Sequence, residues 1–183
     1  MKSLIINGQT YDIKSVRTAP VDKLPVGAEK RVRTKRESYY VNDFATFDIE
    51  STSVITERDQ RGRFRSGYGF MYIWQFYSLS TGLVMGHYWE EFFELLRRIG
   101  DHYGNDKYAP KFVIFIHNEP FEAGFMLDQL TRCGFTYDLF AVKNRKPVVL
   151  RLNEVPVELR CSYKLTNRGL SKYLNDFPAA GFA

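Results

Sequence analysis

FATFDI, residues 44–49, reads as a strand running through a buried core, and Glu50 follows it two positions after Asp48. On an extended chain, residues i and i+2 point to the same side. Asp48 and Glu50 therefore present two carboxylates together at the carboxyl end of that strand. Two like charges held close are costly unless a cation lies between them. Magnesium prefers hard oxygen ligands, so the pair suits a metal seat. Taken alone, an Asp-x-Glu at a strand end also reads as ordinary surface charge.

Downstream, residues 51–66 read as a polar loop carrying Arg58, Arg61, Arg63 and Arg65. YGFMYIWQFYSL, residues 68–79, has strong β-propensity. A short turn at Ser80-Thr81-Gly82 leads to a partner strand at 83–87, which makes a hairpin. A helix is predicted over 89–99, because Trp89, Phe92, Phe93, Leu96 and Ile99 share one apolar face. Glu90, Glu91, Glu94, Arg97 and Arg98 form the other face, and Gly100 is read as the end of the helix.

KFVIFIH, residues 111–117, is a second strand of buried type. Asn118 is placed to cap the next helix, Pro120 suits its first turn, and Gly134 stops it. Segments 136–141, 147–152 and 155–161 read as further strands, and a last helix is expected over 167–176. Upstream, segments 3–6 and 10–16 flank Asn7-Gly8, a pair suited to a tight hairpin turn. Residues 17–38 hold Pro20, Pro25, Gly27 and the basic run Lys30, Arg31, Arg33, Lys35 and Arg36, a linker by composition. The division expected is a hairpin and basic linker over 1–38 and a main domain over 39–183. Strands alternating with helices indicate an α/β fold with a mixed sheet and helices packed on it.

With 183 residues and 44% hydrophobic content the chain is long and apolar enough for one core-forming domain. The net charge of +5 is compatible with a nucleic-acid partner without demanding one. Cys133 and Cys161 form no CxxC pair, so neither a zinc site nor a disulfide framework is signalled, and a reducing, cytoplasmic setting is expected. The first residues are too briefly apolar for a signal peptide, and no apolar run approaches the ~18 residues of a membrane span.

A second chemical signal is FIHNEPFE, residues 115–122. A buried strand leads to a polar Asn, and Glu122 falls in the first turn of a helix, where the dipole favours an acid. His117 lies at the strand end and reads as a structural hydrogen-bonding group.

Taken in order, FDIEST (47–52), IHNEPFEAGFML (116–127) and LRCSYKLTNRGLSKYL (159–174) resemble three blocks of the protein-primed family B DNA polymerases, the replicases of certain phages and linear plasmids. FAVKNRKPVVL (140–150) resembles that family too, and the likeness covers residues 44–176. It implies a ribonuclease H-like fold and a proofreading 3′–5′ exonuclease domain that removes mismatched nucleotides from a primer end. It also implies Asp48, Glu50 and Glu122 as catalytic metal ligands for Mg²⁺ or Mn²⁺, with Ser51, Asn118, Phe121 and Ser162 contacting single-stranded DNA. Implied partners are the primer terminus, the remainder of a polymerase and a terminal (priming) protein, with no membrane, in the host cytoplasm if a phage encodes it.

The sequence departs from the family pattern at Glu122, where the motif has Asp, and at Cys161, where relatives usually have Asp. The Tyr-x-x-x-Asp motif that completes the family's acidic cluster is expected beyond Ala183, so the domain reads as incomplete and this chain is expected to cleave slowly or not at all. Two alternatives stand beside this reading. One is a catalytically degenerate DNA- or protein-binding module, in which Arg58–Arg65, Lys143, Arg145 and Lys146 matter more than the acids. The other is a stand-alone exonuclease of the same fold.

Overall fold

The computed structural model describes residues 2–6, 8–33, 36–106, 108–117, 119–143 and 146–166. A small antiparallel hairpin, β1 (Lys2–Ile6) and β2 (Gln9–Ile13), comes first, and β3 (Ala28–Arg33) follows. Then come β4 (Arg36–Arg58), β5 (Phe64–Ser78), β6 (Gly82–Gly86) and helix α1 (Trp89–Tyr103). Strand β7 (Lys111–Ile116) leads into α2 (Glu119–Arg132). The strands β8 (Tyr137–Lys143), β9 (Lys146–Leu152) and β10 (Val157–Cys161) precede the short α3 (Ser162–Thr166).

The main sheet runs β6-β5-β4-β7-β10-β9-β8, with β3 also paired to β4. Its centre is parallel, because β7 pairs in parallel with both β4 and β10. The outer pairs are antiparallel hairpins. Parallel neighbours need a long crossover, usually helical, and α1 lies in the connection from β4 to β7, α2 in that from β7 to β10. A mixed sheet with few helices and a small N-terminal hairpin is the ribonuclease H-like architecture that the resemblance implies.

Alternation along β4 decides which side is core. Ala45, Phe47 and Ile49 are buried, while Thr46, Asp48 and Glu50 between them are exposed. Phe92 of α1 lies 4.1 Å, centroid to centroid, from Phe47 and 5.5 Å from Trp74 of β5. From α2, Met126 and Leu130 join the same buried cluster as Ile116, Leu150 and Leu159. The indole of Trp74 donates to the Tyr88 carbonyl at 2.9 Å, which satisfies its one polar atom.

Val16, read as the end of a strand, and residues 17–25, read by composition as part of a linker, pack into this core. Val16, Ala19, Val21 and Leu24 are buried in the same cluster. Arg98 of α1 donates to the Val16 and Ala19 carbonyls, and Tyr103 donates to Pro25 O at 3.0 Å. The prolines shape a segment that wraps α1, because its apolar residues find a helix face to cover.

Two other expectations need correction. Residues 51–66 are mostly strand rather than loop, since β4 and β5 run on as a paired ribbon to Arg58 and Phe64. The β-branched residues Thr52, Val54, Ile55 and Thr56 carried that signal. Gly100 lies inside α1, and Gly104, at φ 79°, ends it by donating to Gly100 O at 2.8 Å. The helix expected over 167–176 falls outside the described residues.

Gly100 has a packing role: a Cβ there would stand 2.6 Å from Cγ1 of Val155. Gly100→Ala is expected to lose about 1–3 kcal/mol by overpacking, despite alanine's better helix propensity. Urea denaturation of Gly100→Ala, Val155→Ala and the double variant checks this. The double variant should lose less than the sum of the singles.

Candidate functional site

Register brings three strand ends level. Phe47 of β4 pairs with Ile116 of β7, and Ile116 pairs with Cys161 of β10. The next residues, Asp48, His117 and Ser162, therefore come side by side where the parallel pairing of β4, β7 and β10 ends, although β4 itself runs on to Arg58. In open α/β sheets this edge is where ligands bind.

Asp48 and Glu50 lie on the exposed face of β4, as their spacing predicts. Directly after Glu50 the ladder slips: Glu50 pairs with Ile73 and Ser51 with Met71, so Tyr72 bulges out of β5. Bulges bend a strand and re-aim its side chains, and they are frequent beside active sites. Ser51 is half-buried at this slip.

Glu122 sits in the first turn of α2 and is only 4% exposed. Its Oε2 is buried and has no hydrogen-bond partner among the described residues. Burial pushes its carboxyl up to about 7; a hydrogen bond from its own backbone opposes the rise, and the negative charge of Asp48 adds to it. Asp48 and Glu122, 74 residues apart in sequence, thus share one electrostatic neighbourhood. Among the described residues, no group of three or more His, Cys, Asp or Glu side chains is gathered closely enough to hold a metal ion. The charge of Asp48 thus acts on Glu122, but these two and Glu50 form no cluster of three among the described residues.

His117 is held by Ser162, whose Oγ lies 3.2 Å from its Nδ1, and its ring meets Tyr163 edge-on at 5.8 Å. The Ser162 hydroxyl also donates to Ile116 O at 3.4 Å. These contacts knit the ends of β7 and β10 together. The His117–Ser162 contact was not legible in sequence, because it joins groups 45 residues apart. Cys161 is buried. Asn118 lies outside the described residues, and Phe121 is placed in α2 with its side chain outside them.

The fold is a ribonuclease H-like mixed sheet with Asp48 and Glu50 on β4 just past the end of its parallel pairing with β7. Among solved structures, phi29 DNA polymerase complexed with primer-template DNA and incoming nucleotide substrates matches with a TM-score of 0.55 and 12% sequence identity. The match covers 74% of this chain and 23% of that one, so this chain spans less than a quarter of that polymerase's length. At such identity the likeness is one of fold. No protein-family model matches the sequence, and no curated protein matches it significantly. Among the described residues no helix is long and apolar enough to cross a membrane.

Proposed function

We propose that this chain is the 3′–5′ exonuclease domain of a protein-primed family B DNA polymerase, acting on the single-stranded end of a primer. The observation that carries this reading is the buried Glu122 carboxylate in the first turn of α2, with one oxygen unpartnered among the described residues and the negative charge of Asp48 acting on it. A buried carboxylate oxygen without a donor is costly, and a hard cation relieves that cost. The donor set is carboxylate oxygen, which fits Mg²⁺ or Mn²⁺.

Asp48, Glu50 and Glu122 would hold the metal. When bound, a pair of such ions supplies an activated water and stabilises the leaving 3′ oxygen. The chain's own residues position the substrate in this reading. Ser51 and Ser162 border the acids, Phe121 comes from the first turn of α2, and Asn118 precedes it in the sequence. His117, tied to Ser162, fixes the floor between the strands. The polymerase remainder and a terminal protein are the macromolecular partners this assignment brings with it.

The absence of a three-ligand cluster among the described residues favours a second reading, a degenerate module that binds DNA without cutting it. One set of measurements separates the two. Under the nuclease reading, Mn²⁺ or Mg²⁺ raises the thermal midpoint of the chain, and the rise is lost in Asp48→Asn with Glu122→Gln. A 3′-end assay on a labelled single strand then shows slow trimming at most, abolished by Asp48→Ala. Salt-dependent DNA binding that survives loss of Asp48 and Glu50, with no cation effect, selects the binding module. A chain that binds neither cation nor oligonucleotide is neither.

A further inference from the structure

Beyond the sheet, β4 and β5 pair only with each other among the described residues. From Ser51 and Met71 outward, through Arg58 and Phe64, they form a two-stranded arm. At ~3.3 Å per residue the arm reaches roughly 20 Å. Its base is set against α2, because Gly69 leaves room for the Phe125 ring, which a Cβ there would meet at 3.1 Å.

The arm continues the face that bears the acids. Thr52 and Val54 follow Asp48 and Glu50 at alternate positions of β4, and they pair with Phe70 and Tyr68. Cross-strand partners share a face, so both rings stand on the side of Asp48 and Glu50. Tyr68 is 58% and Phe70 43% exposed. Large aromatics held this far in solvent cost free energy in an isolated domain, and two residues along a strand set them roughly 6–7 Å apart. The tip carries Arg58, Arg61, Arg63 and Arg65 against Glu57 and Asp59. Arg63 is paired with Asp59 and Arg65 with Glu57, whereas Arg58 and Arg61 make no ion pair among the described residues.

We infer that this arm is a track for single-stranded DNA. Tyr68 and Phe70 stack on successive bases, and Arg58 and Arg61 meet the phosphates further along. A base offers a flat π-face to an exposed ring and its backbone offers charge to an arginine, a combination typical of single-strand binding. The inference rests on the DNA-handling reading above and deepens it: it names the path by which a strand reaches the acids.

Fluorescence anisotropy of a labelled oligo-dT against this chain, in EDTA so that metal binding plays no part, tests it. Tyr68→Ala with Phe70→Ala is expected to weaken binding tenfold or more. Arg58→Gln with Arg61→Gln is expected to flatten the dependence of log affinity on log salt by roughly one unit. Both pairs are exposed, and an unchanged thermal midpoint shows that each variant is folded. Wild-type binding that both variants retain in full overturns the arm while leaving the proposed function standing. Equal affinity for a blunt duplex, indifferent to loss of the rings, also overturns it. Failure of the wild-type chain to bind any oligonucleotide overturns the function on which it rests.

Discussion

Raising the pH from 5 to 8 without divalent cations is expected to cost this protein roughly 2.5 kcal/mol of folding stability through Glu122 alone. The folded carboxyl titrates near 7 instead of 4.5, chiefly because it is buried, with the Asp48 charge adding to the effect. Between those values the native state keeps a proton that the unfolded chain has released. The native state thus binds more protons, and stability falls as pH rises. The contribution is complete below about 4.5 and gone above the folded value. Urea midpoints across this range check it. Glu122→Gln should flatten the slope and be the more stable protein at pH 8. Mg²⁺ at pH 8 should restore the wild type but not the variant. A wild-type profile as flat as that of Glu122→Gln would place position 122 in solvent and remove the main support for the proposed site.

Glu158→Ala is expected to be the most damaging single change to a charged residue, at about 3–5 kcal/mol. Glu158 is 1% exposed and binds three cations. Arg160 bonds Oε2 through Nε at 3.0 Å and through Nη2 as well. Arg151 Nε and Lys111 Nζ reach Oε1 at 2.9 and 3.1 Å. The loss is not the worth of those pairs, which desolvation largely cancels; it is the cost of stranding cations without their anion. Arg160 also lies over the Tyr40 ring, 5.0 Å from its centroid, so the disturbance reaches β4.

Burial pushes the Glu158 carboxyl up, but hydrogen bonds and charge from Arg160 and Lys111 outweigh it and hold it below the ordinary range. Its sign is therefore opposite to that of Glu122. This stabilisation is present above the unfolded value and lost as pH falls through the folded one. Taken together, the two carboxyls favour a stability maximum of the metal-free protein on the acid side of the folded value of Glu122. Glu158→Ala should move that maximum to lower pH, which a pH series of thermal midpoints reads directly.

The two acids also mark how far sequence reaches. VELRC alternates so that Glu158 looks like a solvent-facing residue between Val157 and Leu159. It is buried because Lys111 and Arg151, on strands β7 and β9 to either side, close over it together with Arg160. None of those partners is visible from its neighbours in the chain. The arm shows the same limit from the other side. Its arginines and Asp59 read as loop, whereas cross-strand pairing such as Val54 with Tyr68 makes it a ribbon.

What the sequence determined by itself was whatever depends on neighbours a few residues away. That covers the β and α segments set by apolar period, the hairpin at Asn7-Gly8, and the shared face of Asp48 and Glu50. Tertiary structure alone decided that Glu122 is buried within reach of the Asp48 charge, that residues 16–25 wrap α1, and that β4 and β5 run past the sheet. The reason is physical. Strand alternation and helix period are properties of the local backbone, whereas the burial of a charge is set by whatever packs over it. Here that is chain brought in by the parallel pairing of β4, β7 and β10, across separations no local pattern encodes.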